Sequence, residues 1–151
     1  MALCYWGGYG CEQDAARSLE LARESSGKGS RYGQYVLGWF YRYGAGGVAQ
    51  DYAQAHALYR LAAAQNFDGA QWILGYVHSE GSGVAQDYAE ALRLFQLAAA
   101  QGLPDALFNV AIFHELVRVV PENKAAAIRW YRRAQAAGSP SAAVAVQRLR
   151  A

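Results

Sequence analysis

The chain has 151 residues, 54% hydrophobic and 17% charged side chains and a net charge of +2. This composition is typical of one soluble globular unit and excludes an intrinsically disordered chain, since disorder needs low hydrophobicity and high net charge. No apolar run is long enough to span a membrane, and the small net charge disfavours binding to nucleic acid or to an anionic membrane.

Two segments recur at an offset of 36 residues. Residues 47–53, Gly-Val-Ala-Gln-Asp-Tyr-Ala, return at 83–89, and residues 61–65, Leu-Ala-Ala-Ala-Gln, return at 97–101. A fixed period of this length predicts an array of similar structural units in one repeat domain over 1–151. The predicted units are a partial repeat at 1–31, fuller repeats at 32–68, 69–104 and 105–140, and the start of a further helix at 141–151.

The first unit departs from the others at both ends. Met1 aligns with Leu37, so the first turn of its leading helix is absent. The segment 25–30, Ser-Ser-Gly-Lys-Gly-Ser, stands where the next unit has Ala62 to Phe67. This composition predicts a shortened helix that ends in a flexible Gly/Ser hinge.

Each fuller unit is predicted to contain two helices, helix A and helix B, joined by a glycine loop. From Ala70 to Glu80 the apolar residues have helical spacing, and Gly81 follows at the position of a left-handed cap. Asp87 precedes the next helix, where its carboxylate would accept from free backbone N–H groups while Glu90 reaches back in a capping box. Asp51 with Gln54 repeats this arrangement. The prolines fall at the joints between helices, at Pro104, Pro121 and Pro140.

This pattern resembles the Sel1-like repeats, which are longer-looped relatives of tetratricopeptide repeats. The first fuller unit meets the family pattern at Leu37-Gly38, Tyr41, Val48 and Asp51, and residues 130–134 match the pattern of the second helix. The third fuller unit departs from it, because Val117-Arg118-Val119 replaces the glycine loop. The resemblance implies an all-α fold, an α/α solenoid of about four repeats of 36–37 residues. It also implies an adaptor or scaffold role, usually without catalysis.

The resemblance further implies where a partner binds. In the related tetratricopeptide family the A helices line the concave side, and ligand-facing residues lie two before the conserved leucine and two and five after it. Here these positions hold Tyr35, Trp39 and Arg42, then Trp72, Tyr76 and Ser79, then Phe108, Ile112 and Glu115, with Leu3 and Trp6 extending the row. The candidate partner-binding residues, called here the aromatic ladder, are Tyr35, Trp39, Arg42, Trp72, Tyr76, Phe108 and Ile112. Two interpretations stay open, an exposed groove or rings buried as core.

No residues are candidates for catalysis, metal or cofactor binding. His78 and His114 lie 36 apart at the position of Tyr41, so one repeated core position explains both, and His56 has no ligand-type residue at metal spacing. Cys4 and Cys11 occupy positions that are apolar in other repeats, which favours buried thiols over a Cys4–Cys11 disulfide. We therefore expect no enzyme, no cofactor and no metal site.

One cluster of cations stands apart from the repeat pattern. Arg129, Arg132 and Arg133 lie beside Lys124 on the third helix B, where they form either a solvated outer face or a surface for an acidic partner or nucleic acid. Taken together, the sequence predicts a non-catalytic module that binds another protein or a peptide on its concave face. The alternative is a structural subunit of a larger assembly, held through its ends and convex face. The residues after Met1 lack the features of a signal peptide, and nothing indicates a compartment.

Overall fold

The computed structural model describes residues 12–116 and 123–150, and over these residues it contains eight α-helices and no strand. The helices are α1 (Glu12–Gly27), α2 (Arg31–Tyr43), α3 (Tyr52–Ala64), α4 (Asp68–Glu80), α5 (Tyr88–Ala100), α6 (Pro104–Glu115), α7 (Lys124–Ala136) and α8 (Pro140–Arg150). Pro104 and Pro140 are the first residues of α6 and α8, so both lie at joints between helices, as predicted. The interpretations of Leu3, Cys4, Trp6, Cys11, Val117 to Val119 and Pro121 lie outside the described residues.

The chain divides into two compact units, residues 1–62 and 63–151. In the first unit the core forms where Leu19 and Ala22 of α1 meet Leu37 and Phe40 of α2. In the second unit the core is larger and draws on α5, α6, α7 and α8, and its member Val110 is fully buried. Alanine is frequent at these buried positions, because small side chains let neighbouring helices approach closely.

The predicted helix caps are present, but the capping boxes are not. Gly81 ends α4 with φ of 73°, and the Asp87 carboxylate accepts from the Glu90 backbone N–H at 3.0 Å. The Glu90 side chain does not reach back to Asp87; it binds Arg93 instead. The reciprocal half of the predicted box is therefore wrong. At Asp51 the amide of Gln54 likewise donates to the carboxylate rather than accepting from the Asp51 N–H.

A repeated backbone bond explains why the capping boxes fail. The N–H of Asp87 donates to the His78 carbonyl at 2.9 Å, and the N–H of Asp51 donates to the Tyr41 carbonyl at 2.8 Å. Asn123 makes the same bond to His114 at 3.0 Å, although the third loop has a different sequence. Because this N–H already has an acceptor at the end of the preceding helix, it is not available to Glu90 or Gln54.

Close contacts between helices A and B depend on glycine. A Cβ atom built on Gly75 of α4 would lie 2.6 Å from Phe95 Cε1 on α5, and one on Gly38 of α2 would lie 2.8 Å from Tyr59 Cε1 on α3. Both rings are 1% exposed and have no free space to move into. Gly38 and Gly75 hold the same position in successive repeats, and this position is therefore a tight helix crossing in both.

The predicted hinge near Ser25 does not form. α1 continues as a regular helix through Gly27, and Ser30 then caps α2 by accepting from the Gly33 N–H at 3.2 Å. A Cβ on Gly33 would come within 2.6 Å of Ser25 Oγ and of the Ser26 backbone nitrogen. The small residues thus permit close packing of α2 on α1 rather than flexibility.

Candidate partner-binding surface

In the second unit, the aromatic ladder lies on α4 and α6 at the boundary between core and solvent. Trp72, Tyr76, Phe108 and Ile112 are each partly buried and pack against the core. On α4 itself, Leu74 and Val77 point fully inward and are 3% exposed. Each of these four side chains therefore has one side packed against the core and another side accessible to solvent. They are neither fully exposed in a groove nor fully buried as core.

The rings of α4 are held in fixed orientations. Trp72 and Tyr76 meet edge to face with ring centroids 5.0 Å apart, and Tyr76 meets the buried Phe95 in the same manner at 5.7 Å. The Trp72 indole Nε1–H donates to Asn109 Oδ1 on α6 at 3.1 Å, which links the two helices. Edge-to-face pairs and a satisfied indole N–H restrict rotation of both rings.

Asn109 is a member of this surface that the sequence analysis missed. It is 9% exposed and stands at the position that holds Ile73 in the preceding repeat. A polar residue in an otherwise apolar position needs a hydrogen-bond partner when it is buried, and here that partner is Trp72. The replacement of isoleucine by asparagine at this repeat position was the signal available in the sequence.

The carboxyl-terminal edge of the ladder differs from the expectation. Phe108 packs against Tyr131 of α7 with centroids 5.1 Å apart. Glu115, expected to face a ligand, instead accepts from the Tyr131 hydroxyl at 2.6 Å and pairs with Arg148 of α8. Burial, and then the Glu115 carboxylate, raises the pKa of Tyr131 above its ordinary value. Glu115 therefore connects three helices.

In the first unit the ladder residues lie on α2. Tyr35, Trp39 and Arg42 are all partly exposed. Tyr35 packs against Tyr59 at 5.8 Å and Trp39 against Tyr43 at 5.1 Å, while the Arg42 guanidinium lies 5.7 Å from the centre of the Tyr43 ring. Tyr43, which is 54% exposed, was not among the predicted residues, and it extends the aromatic surface of this helix.

The histidines occupy repeat positions without forming a cluster. His78 and His114 are partly buried at equivalent sites, and His56 is partly buried on α3. His114 Nδ1 is enclosed and has no hydrogen-bond partner among the described residues. Burial, followed by the charge of Arg129, lowers the pKa of His114. Within residues 12–116 and 123–150, no three His, Cys, Asp or Glu side chains group as metal ligands. None of the helices described there is long and apolar enough to cross a membrane.

Comparison with known proteins agrees with the repeat pattern. The model of the family described as Sel1 repeat matches residues 1–30, 31–67, 69–103 and 104–139. The chain is similar to a crystallised Sel1 repeat protein from Oxalobacter formigenes, with 27% identity over 87% of this chain and 53% of that protein, and a TM-score of 0.83. These matches confirm the resemblance and the all-α solenoid fold class.

Two further relatives share part of their length with this chain. One is c5321, described as a protective antigen of uropathogenic Escherichia coli with an SLR fold; identity is 31% over 92% of this chain and 30% of that one, with a TM-score of 0.82. The other is an uncharacterised protein of Neisseria meningitidis serogroup B, 41% identical over 58 residues, which are 38% of this chain and 12% of that protein. The chain thus spans about half or less of the length of these relatives.

Proposed function

Because the chain belongs to the Sel1 repeat family, we propose that it is a non-catalytic adaptor that binds a peptide or a partner helix on the concave face carrying its aromatic ladder. Sel1 repeat proteins are generally protein–protein interaction modules and typically non-catalytic scaffolds. The proposed partner-binding residues are Tyr35, Trp39 and Arg42 in the first unit, and Trp72, Tyr76, Phe108 and Ile112 in the second.

The observation that carries the proposal is the partial exposure of rings that are already held in place. Trp72 is oriented by Tyr76 and Asn109 before any ligand arrives. Side chains ordered in advance lose little conformational entropy on binding, so more of the buried apolar area contributes to affinity. Large aromatic side chains with few rotatable bonds are enriched among interface residues that dominate affinity.

The ladder also suggests the chemistry of the ligand. Its members in the second unit are apolar except for the hydroxyl of Tyr76 and the indole N–H of Trp72, and that N–H is occupied by Asn109. A ligand that covers such a strip needs apolar side chains at regular spacing, as an amphipathic helix provides at i, i+3, i+4 and i+7. We therefore expect ligands with a hydrophobic face rather than ligands recognised through charge.

Peptide selection followed by substitution tests this function. Peptides selected from a random library against the intact chain are measured for affinity to Trp72→Ala and Trp39→Ala. Loss of an interface anchor is expected to weaken binding by about 2 kcal/mol or more, roughly thirtyfold. Tyr32→Ala is the matched control, because Tyr32 is 53% exposed on α2 but lies outside the ladder.

Stability must be measured beside affinity, because Trp72 also packs against the core. Loss of a fully buried tryptophan costs about 3 to 5 kcal/mol of stability. A peptide whose affinity is the same for wild type, Trp72→Ala and Trp39→Ala would contradict the proposed site. The proposed site would also be contradicted if both variants lost much of their stability while the folded fraction kept its affinity for the peptide.

A further inference from the structure

The solvent-exposed face of α7 carries three arginines that no carboxylate of the described residues neutralises. Arg129, Arg132 and Arg133 are exposed at spacing i, i+3 and i+4, so their side chains leave the helix on one side. α7 contains no acidic residue, and within the described part of the chain none of the three forms an ion pair. We call these three residues the arginine face.

In the preceding repeat, the arginine at the position of Arg129 has an acidic partner on its own helix. On α5, Arg93 is held by Glu90 through two hydrogen bonds of 2.6 and 2.7 Å. Thirty-six residues later the same positions hold Arg129 and Ala126. The carboxylate has been replaced by a methyl group that is 5% exposed. The arginine is retained while its intrahelical partner is absent.

The other two arginines are additions relative to α5. Arg132 and Arg133 stand where α5 has Gln96 and the exposed Leu97. Three cations on one helical face repel each other and cost stability unless an anion approaches them. The repeat pattern alone therefore does not account for this concentration of charge.

Arg133 is also held in a defined orientation. Its guanidinium carbon lies 4.3 Å from the centre of the Trp130 ring, and Trp130 itself packs against the core of the second unit. A guanidinium stacked on an aromatic face keeps its N–H groups along the edge free for a carboxylate. This contact restrains a long side chain before binding, which reduces the entropy lost when an anion is bound.

The charge distribution along the chain favours a short acidic partner. Residues 116–151 contain seven cationic and one anionic side chain, whereas residues 63–115 contain one cationic and six anionic side chains. The net negative charge of residues 63–115, which belong to the same compact unit, disfavours a long polyanion such as nucleic acid. An acidic helix needs only the length of the arginine face, which is about 6 Å from residue 129 to 133 at the helical rise.

We propose that the arginine face of α7 binds an acidic helical segment of a partner protein, with carboxylates spaced three and four residues apart. Each guanidinium presents a planar pair of donors that fits one carboxylate. The contact is separate from the aromatic ladder, so a single chain would hold one partner through apolar anchors and an acidic segment through ion pairs.

The test uses an alanine-based helical peptide of about 16 residues with three glutamates at this spacing, carrying a fluorescent label, and the intact chain. Wild type is compared with Arg129→Gln, Arg132→Gln and the triple variant that also carries Arg133→Gln. Because an exposed ion pair contributes little individually, each substitution is expected to weaken binding about two- to fivefold, and the triple variant tenfold or more. Arg93→Gln is the matched control and is expected to bind as wild type does.

Four results would overturn the inference. They are no measurable binding of the glutamate peptide, equal binding of a peptide with glutamine at the three positions, an equal loss in Arg93→Gln, or tighter arginine-dependent binding of a short DNA duplex. The last result would assign the face to nucleic acid. Trp72→Ala should leave glutamate-peptide binding unchanged, so failure of this inference and failure of the ladder proposal are distinguishable. Circular dichroism of the triple variant verifies that the exposed substitutions leave the fold intact.

Discussion

Replacing Gly75 by leucine tests the helix crossing on which the second unit is built. A Cβ atom at this position would lie 2.6 and 2.7 Å from two carbons of the Phe95 ring. Ordinary carbon contacts are about 3.5 to 4.0 Å, so the first added atom alone overlaps by about 1 Å. Phe95 is 1% exposed and cannot swing into solvent. Because the first of the four added carbons already overlaps the ring, the overpacking cost lies toward the upper end of the usual range of about 1 to 3 kcal/mol. Removing glycine from a helix recovers only about 1 kcal/mol of this cost.

Urea denaturation followed by circular dichroism measures this loss. Gly75→Leu is expected to lower the free energy of unfolding by about 1 to 2 kcal/mol, which is the overpacking cost less the gain from removing glycine. Gly27→Leu is the matched control, because a Cβ on Gly27, the last residue of α1, meets no atom of the described residues within 4 Å. That exposed substitution is expected to change stability by no more than about 0.5 kcal/mol. An unchanged or higher stability of Gly75→Leu would refute the close crossing of α4 and α5.

Three further predictions concern caps, pH and local stability. Asp87→Ala removes the acceptor for the Glu90 N–H and should cost about 1 kcal/mol by urea denaturation; an unchanged midpoint would contradict the cap. Burial lowers the pKa of His114, so the fold favours the neutral imidazole. Its contribution to stability is present above the ordinary pKa and is lost as pH falls below about 6.5. The free energy of unfolding of His114→Phe should therefore change less with pH in that range. In hydrogen exchange, residues 12–30 should lose protection before residues 69–104. The reason is that α1 has two described buried hydrophobic side chains, whereas α5 has six. Equal protection of the two segments would refute this prediction.

The repeat pattern predicted the helices and their ends because these features depend on local chemistry. Gly81 adopts the left-handed conformation that stops α4, and Asp87 caps α5 through an adjacent N–H. Both depend on residues within a few positions along the chain. The Leu-Gly pair of the family pattern at 37–38 recurs at 74–75, so both tightly packed glycines stand at one repeat position.

Contacts between distant segments were not predictable in the same way. The hinge expected at Ser25 was wrong, because Gly33 of the next helix lies against these small side chains, and composition alone does not distinguish close packing from flexibility. Glu90 was assigned to a capping box because the sequence does not show that the Asp87 N–H already bonds to the His78 carbonyl. The pairing of Trp72 with Asn109 joins residues 37 apart and needed the fold to be seen.

The aromatic ladder and the arginine face predict different responses to a bound peptide, and one NMR titration distinguishes them. The indole N–H resonances of Trp39 and Trp72 report on the ladder, and that of Trp130 reports on α7 beneath Arg133. During titration with a library-selected apolar peptide, we expect shifts for Trp39 and Trp72 and a stationary signal for Trp130. A shift of Trp130 with Trp39 and Trp72 unchanged would contradict binding at the aromatic ladder.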